Sequence, residues 1–247
     1  MDNHILRLIN EYQTGLSRPA NEDIIWDYIV QKRNDLMRKR LENAPKGLCP
    51  NHHLYSPPTG FPIKLRSDFT FVTLAAMVGN LEAMDLLVEY GETYDSTGSA
   101  PAIHTACLVK DNLPAVKHLH EKGAYLNAQS SFPLICAVAI SGDLEMVKYV
   151  VEVCKVDPHD TDQNLFTAIA YAAIAGHFEL VRYFHEELHL PLEQPPGLET
   201  TLVHLVAEGG NLELLRYLES KLLINFHEIT VSEDTLLHCA SAAEIWK

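Results

Sequence analysis

The chain has no apolar run long enough to suggest a membrane protein. Its longest apolar stretches, such as residues 168–176, fall well short of the roughly 18 consecutive apolar residues that a transmembrane helix needs. The first residues include Asp2 and Glu11, and they have no basic segment followed by a long apolar one. This pattern predicts no secretory signal peptide. We therefore expect no membrane insertion and a cytoplasmic location.

Cysteine is scarce and scattered. The sequence has five cysteines, an odd number, and none of them forms a Cys-x-x-Cys pair. This excludes a disulfide-dense secreted fold and a cysteine-rich zinc module. The pattern predicts reduced, mostly buried thiols in a cytosol-like compartment for Cys49, Cys107, Cys136, Cys154 and Cys239.

Positive charge is also scarce, because 19 Lys and Arg residues stand against 33 Asp and Glu residues, for a net charge of −14. The charge is uneven: residues 1–66 carry 10 basic and 7 acidic side chains, whereas residues 67–247 carry 9 and 26. Such an acidic body would repel phosphates, so we expect no nucleic-acid partner. A protein partner with a basic surface suits it better.

An internal repeat is the main feature that is present. Similar stretches begin at residues 73, 104, 136, 170, 204 and 238, and they step by 31, 32, 34, 34 and 34 residues. Examples are "TLAAMVGNLEAMDLLVEYG" from Thr73 and "HLVAEGGNLELLRYLESKL" from His204. Internal repeats with a period near 33 residues are typical of stacked supersecondary units.

Each unit is predicted to be a pair of helices. The first is short and rich in alanine, and it ends before a glycine in four units: Gly79, Gly142, Gly176 and Gly210. The second repeat has no glycine there and is predicted to hold one extra residue, at "LVKDN". The next residue is a good N-cap for the second helix where it is Asn or Asp. The second helix carries apolar residues in matched columns at Leu81, Met84, Leu87; Leu113, Val116, Leu119; Leu144, Val147, Val150; Phe178, Val181, Phe184; and Leu212, Leu215, Leu218.

The unit of about 33 residues resembles the ankyrin repeat. "TLVHLVA" (Thr201 to Ala207) and "TLLHCA" (Thr235 to Ala240) are similar to that family's Thr-Pro-Leu-His-x-Ala signature, and "GAYLN" from Gly123 is similar to its Gly-Ala-Asp-Val-Asn end. The resemblance implies an all-α ankyrin-repeat solenoid over residues 66–247, with about five full repeats and a terminal half-repeat. It also implies a structural role for the signature histidines His104, His204 and His238.

The resemblance further implies partner contacts at the turn tips and at the two positions before the glycine between the helices. The candidate partner-binding residues are Met77, Val78, Tyr94, Tyr125, Gln129, Ile140, Ser141, His159, Asp160, Gln163, Ile174, Gln194, Glu208 and His227, with Ala175 and Gly209 in the same columns.

Two groups of residues suggest metal or thiol chemistry when they are taken alone. His185-Glu186-x-x-His189 matches a zinc-peptidase motif, in which two histidines on one helix face hold the metal. In the repeat frame, however, it falls at the end of an ordinary second helix. Cys49, His52 and His53 are close in sequence but have no fourth ligand nearby. We predict no catalytic residues, no metal and no cofactor.

Residues 1–65 do not fit the repeat. Residues 20–43 are predicted to form one long amphipathic helix with apolar residues at Ile25, Tyr28, Ile29, Leu36 and Leu41, after a shorter helix near the start of the chain. A Pro- and Gly-rich loop follows. Because the open end of a solenoid exposes apolar surface, this N-terminal helical segment is predicted to be a cap.

Three functions remain open at this stage. The first is a monomeric, non-catalytic protein-binding module. The second is an adaptor, or a host-directed effector acting in a host cytosol, whose N-terminal helices bind a second partner. The third, a zinc hydrolase using His185, Glu186 and His189, is the least favoured because no complete ligand set is identifiable.

Overall fold

The structure is a computed structural model that describes residues 25, 28–43, 70–95, 101–126, 132–193 and 201–222. Within these residues the regular structure is helical, apart from one isolated antiparallel bridge between Thr161 and Thr167. None of the helices described is long and apolar enough to cross a bilayer. The helices are α1 (Asn34–Glu42), α2 (Phe71–Met77), α3 (Leu81–Glu89), α4 (Ala102–Cys107), α5 (Leu113–Glu121), α6 (Leu134–Ser141), α7 (Leu144–Glu152), α8 (Ala168–Ile174), α9 (Phe178–Glu186), α10 (Leu202–Gly209) and α11 (Leu212–Lys221).

The chain divides into two compact units, residues 1–130 and residues 131–247. In the first unit α2 packs against α3 and α4, α4 packs against α5, and α1 packs against α3. In the second unit α8 packs against α6, α9 and α10, while α7 packs on α6 and α11 packs on α10. The predicted helix pairs are therefore confirmed, and each short first helix contacts its own second helix and its neighbours within the unit.

The junctions between paired helices follow from the sequence. Gly79, Gly142, Gly176 and Gly210 all have the left-handed backbone that lets the chain reverse, with φ between 63° and 77°. In the second repeat Asp111, with φ 62°, takes this position. The turn there absorbs the extra residue that the sequence predicted. Aspartate tolerates the left-handed region better than most side chains do, which explains how this repeat lacks a glycine.

The second helices begin at side-chain caps where the sequence predicted them. The side chains of Asn80, Asp143 and Asn211 accept hydrogen bonds from the N–H groups three residues later, in α3, α7 and α11. Such caps stabilise a helix by about 1 kcal/mol each. Thr70 and Thr167 cap the first helices α2 and α8 in the same way. These short helices therefore have defined starts even though they span only two turns.

The apolar columns of the second helices are only partly as predicted. The middle and last columns are buried in most repeats, as Val147 and Val181 illustrate. The first column is half-buried at Leu81 and exposed at Leu212, and Leu215 is half-buried. In each second helix, a residue that the prediction omitted is buried: Ala83, Ala115, Met146, Leu180 and Leu214. The buried face is thus rotated toward these positions.

The N-terminal helix differs from the prediction. Ile25 and residues 28–30 are helical, but residues 31–33 form a turn, and α1 begins only at Asn34. Lys32 has φ 55°, a left-handed conformation that no continuous right-handed helix contains. One long helix over residues 20–43 is therefore wrong. The loop and the first predicted helix, together with the half-repeat from residue 238, lie outside the described residues.

A core substitution tests the assignment of helix faces. Val181 in α9 is fully buried, whereas Glu179 in the same helix is exposed. Val181→Ala removes two buried methyl groups and leaves a cavity, so we expect a loss of about 1–3 kcal/mol in the free energy of unfolding. Glu179→Ala is expected to change it by about 0.5 kcal/mol or less. Chemical denaturation of both variants checks this, and a larger loss for Glu179→Ala would contradict the assignment.

Candidate protein-binding surface

The inner-face positions are defined here as the two residues before the left-handed residue between paired helices. In the second unit they present small and apolar side chains: Ile174 is 43% exposed, Ala175 is exposed, and Ile140 is half-buried. Gly209 is also exposed, whereas the side chain of Glu208 lies outside the described part. An exposed isoleucine beside alanine and glycine offers a flat apolar contact area, of the kind that interface cores use.

Two of the predicted inner-face residues do not offer an exposed side chain. Met77 is buried in the first unit, and Ser141 is buried in the second. The hydroxyl of Ser141 donates to the Val138 carbonyl at 2.8 Å and accepts from the Asp143 N–H at 3.3 Å. Ser141 therefore fastens the end of α6 instead of facing a partner. In the first unit Val78 is half-buried and remains partly accessible.

A hairpin loop, residues 155–167, connects α7 to α8, and a buried aspartate organises it. Asp162 accepts hydrogen bonds from the Asn164 and Phe166 N–H groups at 2.9 and 2.8 Å. Its second oxygen accepts the Tyr171 hydroxyl at 2.8 Å. Because Asp162 is fully engaged, the loop is held in one shape. The predicted tip residues His159, Asp160 and Gln163 project from it and are exposed.

The exposed tip of the hairpin loop is acidic. Asp157 accepts hydrogen bonds from the His159 backbone N–H at 2.9 Å and from the His159 ring at 3.1 Å, and these hold the pKa of Asp157 below its ordinary value. Partial burial, followed by the nearby charge of Asp157, raises the pKa of Asp160. Leu165, in the same loop, is 39% exposed and has φ 66°. The sequence prediction missed Leu165, because nothing in its pattern separates an exposed leucine from a core one.

The two predicted tip tyrosines of the first unit differ in availability. Tyr94 is half-buried, and its hydroxyl donates to Asp85, which also accepts from the His118 ring at 2.9 Å and from Lys122 at 3.2 Å. Burial and the bond to Asp85 raise the pKa of Tyr94. Tyr94 thus braces its own unit. Tyr125 is 68% exposed and is the available tyrosine.

The histidine pair does not form a helical metal motif. Helix α9 ends at Glu186, and His189 adopts a left-handed φ of 57° beyond that end. The Nδ1 atom of His185 donates to the Leu190 carbonyl at 3.0 Å. Glu186 pairs with Lys221 at 3.3 Å, so it is not directed at a common centre with the histidines. Within the described residues, no three His, Cys, Asp or Glu side chains come together as a metal site.

A signature histidine and a column of amides fasten the repeats. His204 is buried, and its ring contacts the Thr201 hydroxyl at 2.7 Å, which ties down the start of α10. Where the residue after the left-handed position is asparagine, its amide donates to a carbonyl of the preceding helix pair, an arrangement that the sequence did not reveal. Asn112 donates to the Ala76 carbonyl at 2.9 Å, and Asn211 donates to the Gly176 carbonyl at 3.1 Å. The predicted contact residues Gln129, Gln194 and His227 lie outside the described residues.

Comparisons with known proteins agree with this architecture. The family profile of ankyrin repeats in three copies matches residues 103–190 and 134–218. Among solved structures, the ankyrin-repeat domain of human ASB11 matches with a TM-score of 0.64 and 16% sequence identity, covering 92% of this chain and 96% of that one. No curated protein sequence matches the chain.

The residues that the family profile matches, 103–218, include the left-handed junctions at Gly142, Gly176 and Gly210 and the buried His204 at the start of α10. The structural match carries the same fold across nearly the whole chain. Residues 103–218 are therefore ankyrin repeats, and the chain is an ankyrin-repeat protein.

Proposed function

We propose that this chain is a non-catalytic protein-binding module that holds a partner on the inner-face positions and the hairpin loop of its second unit. Ankyrin repeats are generally protein–protein interaction modules. The observation that carries the proposal is that Ile174 and Ala175, which lie side by side, are both exposed. Most of the residues of α8 that precede Ile174 are buried. Gly209 approaches the Ile174 backbone, so Ile174, Ala175 and Gly209 form one exposed apolar patch. A contiguous patch of this kind marks an interaction site, whereas a single exposed apolar side chain would not.

The partner is proposed to carry basic side chains. Asp157 and Asp160 stand exposed on the hairpin loop, and residues 67–247 have a large excess of acidic residues. Carboxylates at the rim of an interface increase the rate of encounter with a positive surface and select against acidic partners. Cys107, Cys136 and Cys154 form no disulfide, which fits a reducing cytoplasm, where the module is proposed to act.

A single module is favoured over an adaptor with a separate N-terminal docking segment. Helix α1 packs against α3, and Arg38 in α1 lies 3.7 Å from Glu89 in α3. Asn34 also donates to Glu82 at 2.9 Å. A segment that is attached to the first repeat through these contacts is part of the same folded unit. An adaptor or effector role would therefore have to use a surface of that unit.

Site-specific photocrosslinking tests the proposed surface. A photoreactive amino acid at Ala175 is expected to crosslink one partner from a cell lysate, which mass spectrometry then identifies. The same group at Glu179, an exposed position on the second helix α9, is the matched control. Equal crosslinking of that partner from both positions would contradict the proposal.

A charge introduced at Ile174 gives the corresponding binding prediction. With the purified partner, Ile174→Asp is expected to raise Kd about 10-fold or more, because a carboxylate at an apolar contact must be desolvated without a counter-charge. Glu179→Asp keeps the charge on an exposed surface and should leave Kd unchanged. Isothermal titration calorimetry measures both values. An unchanged Kd for Ile174→Asp would remove this residue from the interface.

A further inference from the structure

The turn at residues 31–33 reproduces the junction between paired repeat helices. Lys32 has φ 55°, and Gly79, between α2 and α3, has φ 63°. Helix α1 begins two residues after Lys32 and has 9 residues. Helix α3 likewise begins two residues after Gly79 and has 9 residues. A short helical segment at residues 28–30 precedes the turn, as α2 precedes Gly79. The N-terminal segment therefore has the same order of elements as a repeat.

The backbone hydrogen bonds match position by position. In both junctions the left-handed residue donates to the carbonyl three residues earlier, and the next residue donates to the carbonyl five residues earlier. The matched bonds are Lys32 to Ile29 at 3.2 Å with Gly79 to Ala76 at 3.2 Å, and Arg33 to Tyr28 at 2.8 Å with Asn80 to Ala75 at 2.9 Å. These two bonds form a Schellman motif, so the first helix ends in the same way in both segments.

The contact with the next repeat also recurs. Asn112 donates to the Ala76 carbonyl at 2.9 Å, which ties the pair α4 and α5 to the pair α2 and α3. Asn80 donates to the Ile29 carbonyl at 3.0 Å. Ile29 thus occupies the place of Ala76, one repeat earlier. The amide of Asn80 also exchanges hydrogen bonds with Asn34, at 2.9 and 3.0 Å, which strengthens this joint.

The core positions correspond as well. Met37, four residues into α1, is fully buried, as is Met84 at the same place in α3. Ile29, like Ala76, is fully buried where the first helix meets its neighbours. A segment that only covered the end of the array would need an apolar face but would not need these matched positions.

We propose that residues 25 and 28–43 belong to an ankyrin repeat, separated from the next by an insertion, and that Val30 and Gln31 form, with Val78, a partner-binding surface on the first unit. The surface assignment rests on the proposed function. Val30 and Gln31 stand where Met77 and Val78 stand in the next repeat, and Gln31 is exposed. The sequence hid this repeat because the insertion lengthens the step and lysine replaces glycine at the junction.

The part of the partner that faces this repeat carries acidic side chains. Residues 28–43 contain five basic and two acidic side chains, whereas residues 70–95 contain five acidic side chains and no basic one. This local reversal of charge complements carboxylates on the partner, while the rest of the chain complements basic groups.

Replacing the insertion tests the repeat assignment. Residues 43–69 are exchanged for a copy of residues 90–100, the loop that joins the following two repeats. If residues 25 and 28–43 belong to a repeat, that loop is long enough, and amide protons of residues 33–41 keep their protection in hydrogen exchange. Loss of that protection while residues 71–89 stay protected would overturn the assignment.

Point variants of the full chain provide an independent measurement if the loop exchange prevents folding. Met37→Ala is expected to lower the melting temperature of the first unit by about 5 °C or more, because Met37 is buried as deeply as Met84. Lys39→Ala, on the exposed side of α1, is the control and should have little effect. Equal melting temperatures for Met37→Ala and the unchanged protein would overturn the assignment.

A pair of substitutions at Gln31 tests the surface. A photoreactive amino acid at Val78 identifies the partner of this surface, and Gln31→Glu should raise the Kd of that partner about 2- to 5-fold, whereas Gln31→Lys should not raise it. If Ile174→Asp weakens binding of the partner that is crosslinked at Ala175 but both Gln31 variants bind the partner of the first unit as the unchanged protein does, the surface assignment at residue 31 is overturned and the proposed function stands. If Ile174→Asp also has no effect, the proposed function itself fails.

Discussion

Gly142→Ala is expected to destabilise the second unit by about 2–5 kcal/mol. Gly142 has φ 71°, where an alanine costs about 1–2 kcal/mol. A Cβ atom there would lie 2.5 Å from two atoms of the His177 ring and 2.7 Å from a third. The ring cannot move aside freely, because its Nε2 donates to the Ile140 carbonyl at 2.9 Å. Relieving this overlap adds about 1–3 kcal/mol. Urea denaturation of the full chain measures the loss.

Gly176→Ala is the matched control, because it occupies the same column of the next repeat. Gly176 has φ 77°, but a Cβ there would meet its nearest neighbour, the Asn211 amide, at an ordinary 3.4 Å. Only the backbone cost of about 1–2 kcal/mol is expected. Combining Gly142→Ala with His177→Asn should recover part of the lost stability, since the smaller amide vacates the space. Equal losses for the two glycine variants would contradict the steric argument.

The stability of the first unit is expected to fall by about 3 kcal/mol as the pH rises from below 5 to above 8. Glu92 is only 5% exposed; one oxygen accepts from the Val72 N–H at 3.1 Å, and the other has no hydrogen-bond partner. Burial raises the pKa of Glu92 from 4.5 to about 7, against which the Val72 bond acts weakly. The folded state therefore holds a proton that the unfolded state has released. Its contribution to stability is complete below pH 4.5 and is lost as the pH rises through about 7.

Glu92→Gln should remove this pH dependence, because an amide of similar shape does not ionise. Glu121→Gln, an exposed position of α5 in the same unit, serves as the control and should leave the slope unchanged. Thermal melts at pH 5, 6, 7 and 8 give the slope of stability against pH for the unchanged protein and for each of the two variants. A slope that persists in Glu92→Gln would show that another group is responsible for it.

The sequence predicted the helix pairs because they depend on short-range patterns. Alanine-rich first helices, glycine at the reversal and an Asn or Asp cap all lie within a few residues of one another. The regular step between copies then fixed the register of all five pairs, including the extra residue before Asn112. In the same register, His185 falls in the last turn of a second helix and His189 falls beyond its end, and the structure places both residues there.

What the sequence could not predict depends on side chains in unusual backbone or burial states. Lys32, Lys155 and His189 adopt left-handed φ values where glycine would be expected, so their junctions carry no signal. Glu92 stands in a column that is apolar and buried in three other repeats, at Ala124, Val156 and Leu190. A glutamate in a loop is ordinarily expected to be exposed to solvent, and only the stacked structure shows that Glu92 is buried.

The amide column has a mechanical consequence. Each of its bonds joins a helix pair only to the pair just before it, as Asn80 joins Ile29 and Asn211 joins Gly176. A pulling force applied to the chain ends of one unit would therefore load these joints one after another, from the outermost inward. Each released repeat of about 33 residues would lengthen the tether by roughly 110 Å. A unit built in this way would extend in steps under tension instead of breaking at once.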